Sequence, residues 1–187
     1  MVGTLTDRIK GVRDRALLIL GFACAFRRSE LVSLNLEDLN FTADGLEVTL
    51  RSSKTDQERA GVKIGVPYGG HPGSCPVRSV QAWLRASGIV TGPMFRPIDR
   101  HGNVSSQRLS PEAVATVVKV HAGSAGLDPR RYAGHSLRAG LITAAVRAGK
   151  SEALVMRQCR HKSVSVFRTY VRDADLFREN AAAGIGL

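Results

Sequence analysis

Residues 16–26, ALLILGFACAF, form an unbroken apolar run that ends at Arg27-Arg28. As a helix this run is about 16 Å long, roughly half the hydrocarbon thickness of a bilayer. It follows charged residues, so it predicts a buried helix and not a membrane span. Ile9, Val12, Ala16, Leu17, Leu20 and Ala23 recur at threes and fours and extend the helix over 7–25. An arginine directly after such a run must be paired or aimed at an anion. Glu30, three residues beyond Arg27, offers an ordinary ion pair; an anionic ligand is the other reading.

The period then changes. A second helix is expected over 29–36, followed by alternating LEVTLRSS (46–53) and VKIGV (62–66), with a turn at Asp44-Gly45. These predict a small antiparallel sheet of two or three strands. Pro76 opens a helix to about Ala86, and residues 88–109 read as irregular. Ser110-Pro111-Glu112 starts a helix that fades near Gly123. The loop GLDPRRYAG (126–134) leads into HSLRAGLITAAVRAG (135–149). Ser151 and Ser163 are candidate caps for two further helices, and the tail holds one more short one. The fold class is mainly α with a small antiparallel sheet (α+β), as one domain over 1–187.

The 187 residues carry 27 Lys and Arg against 16 Asp and Glu, a net charge of +11. That excess points to a polyanion, most often nucleic acid. No basic amphipathic helix with bulky exposed apolar residues is visible, which argues against a membrane surface. Cys24, Cys75 and Cys159 are odd in number and widely spaced, a pattern unlike a disulfide framework or a zinc site. No secretory signal is visible. A reducing, intracellular setting is expected, and the cytoplasm is the expected location.

Four local patterns carry reactive side chains. In HSLR, His135 and Arg138 are three apart, so both can face one ligand from a helix start, where free N–H groups favour an anion. A solvated helix end is the bland alternative. In RHKSVSVFRTY (160–170), His161 and Tyr170 are nine apart. On one continuous helix they would face opposite ways, about 13 Å apart along the axis. They can share a site only if the chain breaks between them, and Lys162-Ser163 is the expected break. The alternative is a core tyrosine. Lys54 lies at the tip of the predicted hairpin, and Arg27 ends the apolar helix. His71, His101 and His121 lie outside any pattern and read as surface or structural.

Arg, then Lys on a hairpin, then His-x-x-Arg, then His, then Tyr nine later: in this order the chain resembles the catalytic domain of the tyrosine recombinases, or phage integrases. The stretches that carry the resemblance are 13–39, 52–67, 134–149 and 160–177, nearly the whole chain. The resemblance assigns six positions: Arg27, Lys54, His135, Arg138, His161 and Tyr170. Two departures stand out. Ala25-Phe26 replaces the family's frequent Gly-Leu pair, and Arg160 replaces a frequent glycine before the later histidine.

The resemblance implies a DNA strand exchange. Tyr170 attacks a phosphodiester to give a 3′-phosphotyrosyl link and a free 5′-hydroxyl, and a second 5′-hydroxyl reverses the step. The covalent link conserves the bond energy, so no ATP, metal or other cofactor is expected. A phenol ionises near 10, and cationic neighbours favour its phenolate. By resemblance Arg27 and Arg138 clamp phosphate oxygens, Lys54 protonates the leaving 5′-oxygen, His135 serves as general base or proton relay, and His161 hydrogen-bonds a phosphate oxygen. Arg28, Arg157, Arg160, Lys162 and Arg168 are expected on the DNA backbone. The expected partner is double-stranded DNA, with a tetramer on DNA and a monomer without it. Family members usually carry an N-terminal DNA-binding domain, whereas here the signature begins almost at once. Residues 173–187 are a candidate docking tail. The host is expected to be a bacterium or phage, with the protein on the nucleoid when bound. A type IB topoisomerase and a silent DNA-binding module are the rival readings.

Overall fold

Around the apolar run the described residues build a series of α-helices, a further helical stretch beyond Ser163 and one small sheet. The structure is a computed structural model that describes residues 1–51, 61–161, 163–165, 167 and 170. Helix α1 (Ile9–Ala23) is the central element, with Ala16 through Leu20 consecutively buried, so helices pack on several of its sides. Helix α2 (Arg28–Ser33) follows a tight turn. Strands β1 (Leu39–Phe41), β2 (Gly45–Leu50) and β3 (Val62–Pro67) form an antiparallel sheet in the order β1-β2-β3. Leu50 pairs with Val62, so Lys54 falls in the β2–β3 connection; it lies outside the described residues.

Helix α3 (Pro76–Ser87) makes the most extensive packing against α1. Its Trp83 is fully buried, and the indole Nε1–H donates to Met94 O at 2.9 Å. Helix α4 (Pro111–Ser124) is capped by Ser110, whose hydroxyl accepts from the Ala113 amide. Helices α5 (Ser136–Arg147) and α6 (Glu152–Cys159) follow, α6 with Ser151 as its cap. The predicted order of elements holds through α6, with boundaries moved by a few residues, and the short helix expected in the tail lies outside the described residues. The third strand is real and short.

Among the described residues two apolar clusters share the interior. The larger joins α1, α2, the inner face of the sheet, α3 and α4. Each fully buried leucine in it contributes about 2 kcal/mol. The smaller is built from Ala25, Ile142, Val155, Cys159 and Phe167, with Tyr170 packed against it. Gly21 and Gly140 bring α1 and α5 together. A Cβ on Gly21 would lie 2.8 Å from Leu137 Cδ1, and one on Gly140 would lie 3.2 Å from the Phe22 ring. This contact sets the start of α5, with Arg138, against the end of α1, next to Arg27. Among the described residues no helix is long and apolar enough to cross a membrane.

Candidate active site

Arg27 sits where α1 turns into α2. Ala25, at φ +48°, makes the turn, and the Phe26 amide donates back to Gly21 O at 3.1 Å. Arg27 is the N-cap of α2, and Glu30 Oε2 accepts its amide N–H at 2.9 Å. Glu30 Oε1 accepts from Arg27 Nη1 at 2.5 Å, so the ion pair with Glu30 is present. The Arg27 side chain stays 34 % exposed, so the pairing orients its guanidinium without enclosing it.

Arg138 lies in the first turn of α5 and points inward at 4 % exposure, with Nη1 donating to Ala25 O at 2.8 Å. His135, the residue before α5, is exposed. Gly134 lets the Arg28 stem lie over the loop before α5, since a Cβ there would meet Arg28 Cδ at 2.9 Å. Arg28 itself is exposed and reaches toward Glu112 at 3.9 Å.

Helix α6 ends at Cys159, and Arg160 adopts φ +55°. The chain reverses there, and helical structure resumes beyond Ser163, whose carbonyl accepts the Phe167 amide at 3.2 Å. This break brings the His161 and Tyr170 rings edge to face, with centroids 6.0 Å apart. Phe167 is fully buried in the smaller cluster and anchors the segment that carries the half-buried Tyr170. The required interruption therefore exists, and it begins at Arg160.

Arg160 does not sit as the sequence suggested. A DNA-backbone contact needs an outward guanidinium, but this side chain is 11 % exposed and pairs with Glu30 Oε2 at 2.9 Å. Arg157 is exposed. Lys54, Lys162 and Arg168 lie outside the described residues, as does the tail 173–187. His71 and His101 are exposed, and His121 binds Asp14 in the interior.

Electrostatically the site is a cluster of three guanidiniums around one carboxylate. Burial pushes the Glu30 carboxyl up, but the Arg27 amide and the charges of Arg160 and Arg27 outweigh it and hold Glu30 below its ordinary value. Burial and the neighbouring Arg27 and Arg160 lower Arg138, opposed by Cys159 and Glu30. Burial, then Arg138, Arg27 and Arg160, hold His161 below the usual histidine value. Its Nε2 is buried and has no hydrogen-bond partner among the described residues. With His161 neutral the group carries a surplus of positive charge, an arrangement suited to an anion. Among the described residues no group of three His, Cys, Asp or Glu is placed to hold a metal ion.

Sequence reasoning missed the inward role of Arg160; its only signal was a bulky residue where the resembling family often has glycine. It also missed the buried Arg13–Asp14–His121 group, signalled only by two charges next to an apolar run.

Known proteins share this arrangement of elements. The chain is 43 % identical over 175 residues to an integrase/recombinase XerD homolog of Selenomonas ruminantium, covering 94 % of this chain and 51 % of that protein. It is 31 % identical over 169 residues to the tyrosine recombinase XerD of Xanthomonas axonopodis pv. citri, covering 88 % and 52 %. The chain thus spans about half the length of these curated relatives. Among solved structures, the XerH site-specific recombinase bound to palindromic difH substrate, in a post-cleavage complex, matches with a TM-score of 0.68 at 16 % identity, covering 91 % of this chain and 45 % of that one. A lambda integrase (75–356) dimer bound to a COC′ core site matches with a TM-score of 0.56 at 20 % identity, covering 92 % and 56 %. At such identities the likeness speaks for the fold. The model of the phage integrase family matches residues 2–176, nearly the whole chain, and the protein belongs to that family.

Proposed function

We propose that this chain is the catalytic domain of a site-specific DNA recombinase that breaks and rejoins strands through a 3′-phosphotyrosyl intermediate. The carrying observation is the convergence of Arg27, Arg138 and His161 on one positively charged site, with the Tyr170 ring against His161. The names of the relatives, XerD recombinases and integrases, point the same way.

In this reading Tyr170 Oη attacks the phosphorus, the P–O5′ bond breaks, and the 5′-oxygen leaves with a proton. Arg27 and Arg138 stabilise the charge on the non-bridging oxygens by forked donation. Neutral His161 donates from Nε2–H to one of those oxygens, which satisfies a buried atom that has no hydrogen-bond partner among the described residues. Lys54 supplies the proton to the leaving oxygen, and His135 takes the phenol proton. Attack by a second 5′-hydroxyl releases the tyrosine, so the cycle consumes no energy source. Arg28, Arg157, Lys162 and Arg168 hold the backbone of the duplex. Double-stranded DNA in a bacterial or phage-infected cytoplasm is the proposed partner, with four copies assembling on two sites and a monomer in its absence.

A nicked duplex carrying the recombination site, taken from repeats flanking the gene, tests this. The wild-type protein is expected to give an SDS-stable covalent adduct; Tyr170→Phe gives none but still binds. No adduct on a verified site would leave a silent DNA-binding module. Relaxation of a plasmid lacking the site would mark a topoisomerase.

A further inference from the structure

Arg160 spends its side chain on the segment that carries Arg27. Its Nη1 donates to Cys24 O at 2.9 Å and to Gln158 O at 3.0 Å. Its Nη2 donates to Ala25 O at 3.3 Å and to Glu30 Oε2 at 2.9 Å. The guanidinium carbon lies 5.2 Å from the centroid of the Phe26 ring. Two of these acceptors are shared. Glu30 Oε2 also accepts the Arg27 amide, and Ala25 O also accepts from Arg138 Nη1. Arg160 therefore has one acceptor in common with each of the two arginines, and it is covalently next to His161.

The backbone makes the same connection. Among the described residues, Ala25 and Arg160 are the non-glycine residues with positive φ, and the Arg160 guanidinium ties one of these turns to the other. A glycine would adopt φ +55° freely but could make none of these bonds. A lysine would bring the charge but not the planar fork that reaches several acceptors at once.

We infer that Arg160 is a positioning residue that locks the Arg27 turn, and the carbonyl that orients Arg138, to the turn carrying His161, so that the three phosphate-binding groups are preset before DNA arrives. This rests on the roles given above to Arg27, Arg138 and His161. It excludes a backbone contact for Arg160, since reaching the DNA would mean breaking the pair with Glu30.

The test compares wild type, Arg160→Gly and Arg160→Lys as full chains. On the nicked duplex, Arg160→Gly is expected to slow single-turnover adduct formation roughly 10- to 100-fold, the scale of a small misplacement of reacting groups. DNA affinity and its salt slope stay unchanged, Arg160→Lys does not restore the rate, and the Gly effect largely vanishes in an Arg27→Ala background. An unchanged rate overturns the inference, and so does a salt slope reduced by about one, the mark of a lost phosphate contact. A DNA-free measurement keeps the two readings apart. In Arg160→Gly the Arg27 amide should lose protection from hydrogen exchange, while emission from the buried Trp83 reports an intact core. Retained Arg27 protection overturns the inference even if wild type forms no adduct, an outcome that would separately sink the recombinase reading.

Discussion

The His161 and Tyr170 rings meet edge to face, 6.0 Å between centroids and 78° between planes, although they are nine positions apart in the chain. The left-handed turn at Arg160 makes this possible, and it also leaves His161 facing three guanidiniums. Burial and those charges hold the imidazole below 6.5, so it is neutral at pH 7 in the free protein. Phosphate entering the site offsets the positive charge and favours the imidazolium. In an NMR titration of the His161 ring, the midpoint should lie below 6.5 without DNA and move up with a bound duplex. The linked stability has a definite sign. The unfolded chain binds the proton more readily, so stability is full above 6.5 and falls as the pH drops toward the folded-state value. A midpoint at or above 6.5 in the free protein would refute the cationic crowding.

Among the described residues Arg138 is aimed by a single carbonyl, Ala25 O, from a position in the first turn of α5. Arg138→Ala should lower the rate of adduct formation roughly 10²- to 10³-fold, the loss seen when one preorganised donor to a developing oxyanion is removed. Arg138→Lys recovers little, since an ammonium cannot hold the carbonyl and fork a phosphate together. Quench-flow kinetics on the nicked duplex check this; recovery to near wild type by lysine would mean that charge alone matters at this position.

A chain with net charge +11 should bind DNA largely through counterion release. Affinity is expected to fall by at least about an order of magnitude between roughly 50 and 200 mM salt. Fluorescence anisotropy across that range measures it. A flat profile would mean that the basic surface does not meet the phosphates.

Helix periodicity, the proline and serine helix starts and the hairpin were legible in the sequence because each depends on local chemistry. The need for a break between His161 and Tyr170 was legible too, since helix geometry alone forbids their meeting without one. Ala25 and Arg160 show where legibility stopped. The sequence marks both as departures from a frequent glycine, but their positive φ and their linkage depend on side-chain packing between segments more than 130 residues apart. Arg160 looks like one more cation in a basic run until Glu30 and the two carbonyls are seen to face it. The Asp14 group was hidden for the same reason: its partners come from different elements, and no spacing records that.

Asp14 ties three parts of the larger core together. Its Oδ1 accepts from Arg13 Nε at 2.9 Å and Nη2 at 2.6 Å, and its Oδ2 lies 3.1 Å from His121 Nε2 on α4. Arg13 Nη1 donates in turn to Arg96 O. Arg13 and Asp14 are 4 % and 3 % exposed, so removing the carboxylate strands a charge inside the protein. Asp14→Ala should therefore cost about 3 kcal/mol. Replacing both partners, as Arg13→Met with Asp14→Leu, removes the stranded charge together with its counterion and should cost much less. Urea unfolding followed by the emission of Trp83, the single tryptophan, measures both. Equal destabilisation by the single and the double replacement would mean that Asp14 acts through its shape and not through its charge.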